Sequence, residues 1–266
     1  MKKIELKSFD DLNIYGHISF PKNYKNKKNP AILFISGGIH GSAYDKGGKE
    51  YDPLHVSISD YFNKKGYIAL ILDKRGSKGY GIKYLSYLDC CGKEVKDIIA
   101  GGNYLQNLRY VNKNKIIIHG TSRSATLAAL VLSKTDIFSA GVLASGFYDL
   151  YKQYKYEEKY RKEIFPTKQA LNNKEIEEVP YKQRSPINFV KNINCPLLIV
   201  HGTDDPITPL DFSLEFYKKL KKYGKDVLFI KYKRFAHLKI YSYPEHPSGK
   251  EYWKDVINFL KEKLNI

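Results

Sequence analysis

The recurrence of short, unbroken apolar runs between helix-like stretches constrains this 266-residue chain most. Ala31-Ile32-Leu33-Phe34-Ile35, Tyr67 to Leu72, Lys115 to His119, Gly141 to Ala144, Pro196 to Val200 and Val227 to Ile230 show little polar/apolar alternation. A strand is apolar on both sides when both faces are covered, and that condition defines a mostly parallel sheet between two layers of helices. The intervening stretches carry helical spacing. Residues Leu54 to Lys65 read as a helix. Val95, Ile98, Ile99, Gly102 and Leu105 share one face of the stretch 92–107, as do Trp253, Val256, Ile257, Leu260 and Leu264 of 248–264. Two antiparallel strands, Ile4 to Ser8 and Leu12 to Phe20, are expected before a polar linker from Lys22 to Pro30.

The pattern breaks between Phe147 and Ile193, where the chain turns charged and tyrosine-rich. An insertion of this length between two sheet strands, at about 147–193, is expected to be helical and to lie over the C-terminal edge as a small cap on a single domain. Hydrophobic residues make up 42 % of the chain, enough for a substantial core. No apolar run approaches the roughly 20 residues of a bilayer span. Met1 to Lys7 is basic without an apolar segment behind it, so no signal peptide is expected. Cys90, Cys91 and Cys195 make neither a CxxC pair nor a metal spacing. A cytoplasmic protein with reduced thiols, no metal and no membrane partner is the expectation.

The net charge of +17 raises the question of nucleic acid. Of the 45 basic residues 39 are lysines, scattered along the chain, whereas readers of bases and phosphates cluster arginine. A solvated lysine-rich surface is expected, and no nucleic-acid partner.

The chemistry concentrates at strand ends. His119-Gly120-Thr121-Ser122-Arg123-Ser124-Ala125 follows an expected strand and opens an expected helix, which is the context of a nucleophile elbow. Gly120 fills the first small position of that pattern, and Ser124 stands at the second. A serine hydroxyl needs a base, and the base needs an orienting carboxylate. After the strand Pro196 to Val200 comes His201-Gly202-Thr203-Asp204-Asp205, and after the strand beginning at Val227 comes Phe235-Ala236-His237. Asp204 and Asp205 are poorly separated by sequence. Ser124 falls inside the helix, and His246 lies well past its strand. His17, His40, His55, His119 and His201 read as structural or surface residues. An acyl intermediate also needs two oxyanion donors. The N–H of Arg123 is one candidate. The other belongs to the loop Ser36-Gly37-Gly38-Ile39, near Gly38 or Ile39, which matches no nucleotide-binding glycine pattern.

From about Pro30 onward the chain resembles the catalytic domain of the prolyl oligopeptidase family, within the α/β-hydrolase superfamily. The resemblance is carried by Arg75-Gly76-Ser77-Lys78-Gly79-Tyr80-Gly81, Gly92 to Asp97, Arg184-Ser185-Pro186-Ile187 and Pro196 to Pro209. It implies an α/β-hydrolase fold with Ser122 as nucleophile, Asp205 as orienting acid and His237 as base. Ser124 and Ala236 stand where the family usually has glycine. Ser36 stands where several members carry a tyrosine that donates to the oxyanion, so a backbone donor, Ile39, is expected in its place. No β-propeller is expected here. The implied activity is hydrolysis of small esters or short-peptide amides through an acyl-enzyme, without a cofactor. A carboxylesterase or thioesterase without peptidase activity, or a catalytically silent binding module on the same fold, are the alternatives.

Overall fold

The computed structural model describes residues 1–38, 40–45, 50–160, 180–237 and 241–266. Its strands are β1 (Lys2–Lys7), β2 (Asn13–Ser19), β3 (Asn29–Ile35), β4 (Tyr44–Asp45), β5 (Glu50–Tyr51), β6 (Ile68–Asp73), β7 (Val111–Thr121), β8 (Ala140–Ala144), β9 (Leu197–Gly202) and β10 (Val227–Tyr232). Its helices are α1 (Pro53–Lys64), α2 (Ile82–Leu85), α3 (Glu94–Asn107), α4 (Arg123–Leu132), α5 (Leu150–Tyr160), α6 (Tyr181–Arg184), α7 (Leu210–Lys222) and α8 (Pro247–Leu264). Eight strands form one sheet in the order β1-β2-β6-β3-β7-β8-β9-β10, and β4 pairs with β5 apart from it. The pairs β1–β2 and β2–β6 are antiparallel, and every pair from β6 to β10 is parallel.

The apolar runs sort themselves by the two-residue period of a strand. Ala31, Leu33 and Ile35 face one core with α3, α4 and α7, while Ile32 and Phe34 face the other with α1 and α8. Ile68, Leu70 and Leu72 alternate with Ala69 and Ile71 in the same way. Burying both faces therefore requires every position to be apolar, which is why no amphipathic alternation marks these strands.

Helix ends follow local chemistry. Asp52 caps α1, its carboxylate accepting from Leu54 N at 2.8 Å, and Pro53 occupies the first helical position. The strand expected at 115–119 begins earlier, at Val111. Asn29 pairs with Val111 and Ala31 with Ile116, so a bulge absorbs the polar residues 112–115. Those residues hide the start of the strand from an apolar count.

The segment expected as a cap contains α5, α6 and a 3-10 turn at Pro186–Asn192, while residues 161–179 lie outside the described residues. Leu150 and Tyr154 of α5 pack with Leu88, Cys90, Phe147 and Phe212. Tyr156 donates its hydroxyl to Pro206 O at 3.2 Å, in the turn that follows β9. Among the described residues no helix is long and apolar enough to cross a membrane.

Two segments singled out in the sequence are tied to each other. Arg75 Nε donates to Asp97 Oδ2 at 2.9 Å, and Nη2 donates to Asp97 Oδ1 at 2.8 Å and Asp10 Oδ1 at 2.9 Å. A third segment is anchored nearby: Arg184 Nη1 donates to Asp89 Oδ1 at 3.0 Å, and Leu150 N donates to Ser185 Oγ at 2.9 Å.

Candidate active site

β7 runs directly into α4 through one residue. Ser122 has φ 58° and ψ −128°, a conformation that an L-residue adopts only under strain, and its N–H donates to Ala144 O of β8 at 2.8 Å. The turn is tight enough that a Cβ at Gly120 would lie 2.1 Å from Ser124 O, so glycine is required there. Position 124 has no such restriction. Ser124 is fully buried, and its hydroxyl donates to Ser36 O at 2.7 Å. It is thus committed to the interior, while Ser122 stays partly exposed.

Asp205 sits in the turn after β9. Its Oδ1 accepts from Ile207 N at 2.9 Å and Thr208 N at 3.0 Å. Its Oδ2 accepts from Thr208 Oγ1 at 3.0 Å and from His237 Nδ1 at 2.7 Å. Burial pushes the Asp205 pKa up. Hydrogen bonds from His201 and His237, the charge of His237 and the Thr208 N–H outweigh it and hold the carboxyl well below the usual carboxylate range. The carboxylate on Nδ1 orients the His237 ring with Nε2 on its other side. Asp204 is exposed and accepts from Thr203 Oγ1 at 2.8 Å, so geometry separates the two adjacent aspartates.

The turn bearing His237 lies close on β9. A Cβ at Gly202 would come within 2.2 Å of Phe235 O. Asp204 N donates to Phe235 O at 3.1 Å and Arg234 N to Thr203 Oγ1 at 3.0 Å. The positive φ of that turn falls on Arg234, at 59°, so Ala236 is tolerated where glycine was expected.

One residue of the site escaped the sequence analysis. His201, the last-but-one residue of β9, is fully buried with Nε2 3.3 Å from Asp205 Oδ2 and 2.6 Å from Thr208 O. Its Nδ1 accepts from Ser213 Oγ at 2.7 Å. The carbonyl fixes the Nε2–H tautomer, so His201 is a second donor beside the carboxylate. The signal available was its spacing of four residues from Asp205 on the same strand end. The remaining histidines stand apart. His119 Nε2 meets Tyr252 Oη at 2.6 Å, His40 Nδ1 meets Gly76 O at 2.6 Å and His246 Nδ1 meets Ser248 Oγ at 2.8 Å. Burial lowers His17 and His119 to about 3, which keeps both neutral.

Of the two oxyanion candidates, Arg123 is the first residue of α4, where backbone N–H groups have no intrahelical acceptor and the helix dipole favours negative charge. Its side chain turns away, donating from Nη2 to Glu94 Oε1 at 3.0 Å. Ile39 lies outside the described residues. Among the described residues no cluster of three His, Cys, Asp or Glu side chains is arranged to hold a metal ion.

Ser122, Asp205 and His237 follow β7, β9 and β10, which with β8 are consecutive in the sheet and parallel, so all three stand at one edge. A mostly parallel sheet covered on both faces, with a strained serine at one strand end, is the architecture of the α/β hydrolases. The chain belongs to the prolyl oligopeptidase family, whose profile matches residues 55–266. It is 30 % identical to dipeptidyl-peptidase 5 of Schizosaccharomyces pombe over 72 % of this chain and 28 % of that protein. It is 27 % identical to inactive dipeptidyl peptidase 10 of Mus musculus over 81 % of this chain and 26 % of that one. The solved structure of Pyrococcus horikoshii acylaminoacyl peptidase superposes with a TM-score of 0.83 at 28 % identity, over 99 % of this chain and 41 % of that one. The chain therefore spans about a quarter to two fifths of the length of these relatives.

Proposed function

We propose that this protein is a serine hydrolase that cleaves small esters or short-peptide amides through an acyl-enzyme on Ser122. The observation that carries this is the pairing of a strained, partly exposed serine with a 2.7 Å imidazole–carboxylate contact at the same sheet edge. His237 Nε2 takes the Ser122 proton as the hydroxyl oxygen attacks the carbonyl carbon. Asp205 holds the proton on Nδ1 and stabilises the imidazolium. The Arg123 N–H and a donor from the glycine loop, at Ile39, bind the oxyanion. The imidazolium then protonates the leaving alcohol or amine, and water, deprotonated by His237, releases the acid and regenerates Ser122. No cofactor enters these steps.

A single domain with a cap over this edge at about 147–193 is the accompanying proposal, supported by the packing of α5 beside the turn that holds Asp205. Peptide substrates are supported by the peptidase names of the relatives. A cytoplasmic location is supported by three free cysteines. A catalytically silent protein is the second reading, favoured by the relative named as inactive at 27 % identity.

Fluorophosphonate labelling separates the two. The folded protein is expected to take one label, mapped by peptide mass to Ser122, and Ser122→Ala to take none. Wild-type protein that stays unlabelled would establish the silent reading. Turnover of p-nitrophenyl esters without turnover of aminoacyl or dipeptidyl amides would make the protein an esterase.

A further inference from the structure

The carbonyl of Ser36, where β3 gives way to the glycine loop, is the meeting point of two buried side chains from distant parts of the chain. Ser124 Oγ, two residues beyond Ser122 in the first turn of α4, donates to it at 2.7 Å. Lys74 Nζ, from the residue after β6, donates to it at 3.2 Å. Both residues have 0 % exposure. Other described residues of the loop are also bonded. Ser36 N donates to Leu72 O at 3.1 Å, Ser36 Oγ to Gly41 O at 3.1 Å and Lys78 N to His40 O at 3.1 Å.

A buried ammonium is an expensive way to fill space, since an apolar side chain of similar volume avoids the desolvation cost. Burial, together with the Arg123 charge from α4, pushes Lys74 down to about 8, while Asp73 of β6, Glu94 of α3 and Cys91 before it hold it up. Only the contact with Ser36 gives this lysine a directed partner among the hydrogen bonds described. The planar trans peptide then has a consequence. With the Ser36 carbonyl drawn into the interior, the Gly37 N–H is turned to the opposite side and the course of the loop is set.

We propose that Lys74 and Ser124 form a clasp on the Ser36 carbonyl that fixes the glycine loop against the start of α4 and so holds the second oxyanion donor in register with Ser122. Both are positioning residues, and the proposal rests on the serine-hydrolase reading. It also accounts for a serine at position 124, where the family usually has glycine: the hydroxyl is the α4 half of the clasp.

The test uses full-length Lys74→Met, Ser124→Ala and the double variant, with a p-nitrophenyl ester as substrate. Losing one oxyanion donor outright lowers kcat about 10²–10³-fold, so loosening its anchor is expected to lower kcat about tenfold in each single variant. KM should stay within about twofold, and affinity for a trifluoromethyl ketone analogue should fall in step with kcat/KM. The double variant should lose far less than the product of the singles, because both act through one carbonyl. In wild type, kcat should decline as pH rises through about 8, where Lys74 loses its proton. That step should vanish in Lys74→Met. Leu105→Ala, in the core at the far end of α3, matches any loss of thermal stability without touching the loop.

Wild-type protein that labels with fluorophosphonate while both single variants keep kcat within twofold would overturn the clasp alone. So would a loss that Leu105→Ala reproduces at the same melting temperature, or an alkaline step unchanged in Lys74→Met. Wild-type protein that takes no label overturns the hydrolase reading, and the clasp falls with it.

Discussion

Asp205→Asn is expected to lower kcat about 10⁴-fold while leaving the fold in place. The amide oxygen can still accept from Ile207 N and Thr208 N, the bonds that shape the turn. The position facing His237, however, is then an NH₂ donor. It calls for an acceptor at Nδ1, which moves the ring proton to Nε2, so that nitrogen is no longer a base. The imidazolium formed during attack also loses its counter-charge. The carboxyl of Asp205 is held below its usual range, so its ionised form adds stability above the ordinary Asp pKa of about 3.9 and loses it as pH falls through the lower folded-state value. Asp205 is therefore fully charged across neutral pH, and the variant should be impaired at every such pH. Steady-state kcat on an ester, with circular dichroism to confirm the fold, checks this. A loss smaller than tenfold would show that this carboxylate does not orient the base. Asp204→Asn is the control and should change kcat by less than twofold, since that side chain bonds only to Thr203 among the contacts described.

The placement of the candidate site was legible as far as parallel sheets put loops at strand ends, and strand ends are visible in sequence wherever apolar runs stop. Ile116 to Ile118 announce β7, and the Gly-Thr-Ser that ends the run carries the strained backbone at Ser122. Leu197 to Val200 announce β9 before Asp205 in the same way. Choices within one turn were not legible. Asp204 and Asp205 differ by one residue and the same chemistry, and only the direction of each side chain, inward to His237 or outward to Thr203, distinguishes them. His201 reads in sequence as a structural or surface histidine just past the apolar run, whereas the structure extends β9 through it to Gly202. Its contact with Asp205 depends on the chain reversing immediately after β9. Ser124 looked like a departure from a pattern, and its partner at Ser36 is 88 residues away. Such contacts depend on which loops the strand order makes neighbours, and β3 lies beside β7 although residues 36–110 lie between them in the chain.

Arg75→Ala is expected to cost about 3–5 kcal/mol of stability, a large share of the roughly 5–15 kcal/mol that holds a typical domain. The Arg75 side chain has 3 % exposure and that of Asp97 0 %. Asp97 also receives Arg75 N at 2.9 Å and Ser8 Oγ at 2.6 Å. Removing the guanidinium leaves that carboxylate buried with only two neutral donors, and it leaves Asp10 with no cation in reach of its present bonds. The damage should reach catalysis, because Arg75 adjoins Lys74 and because Gly76 O receives His40 at the far side of the glycine loop. The pair ties the first turn of α3 to the amino-terminal turn and to the loop after β6, which the β2–β6 pairing already sets side by side. Urea unfolding of Arg75→Ala, Asp97→Ala and the apolar replacement Arg75→Met/Asp97→Leu distinguishes net attraction from stranded charge. Each alanine variant should unfold at clearly lower urea. The double replacement should recover much of the loss, since it leaves no charge behind. An Arg75→Ala protein within about 1 kcal/mol of wild type would mean that solvent reaches Asp97 and that the network does not hold the loop.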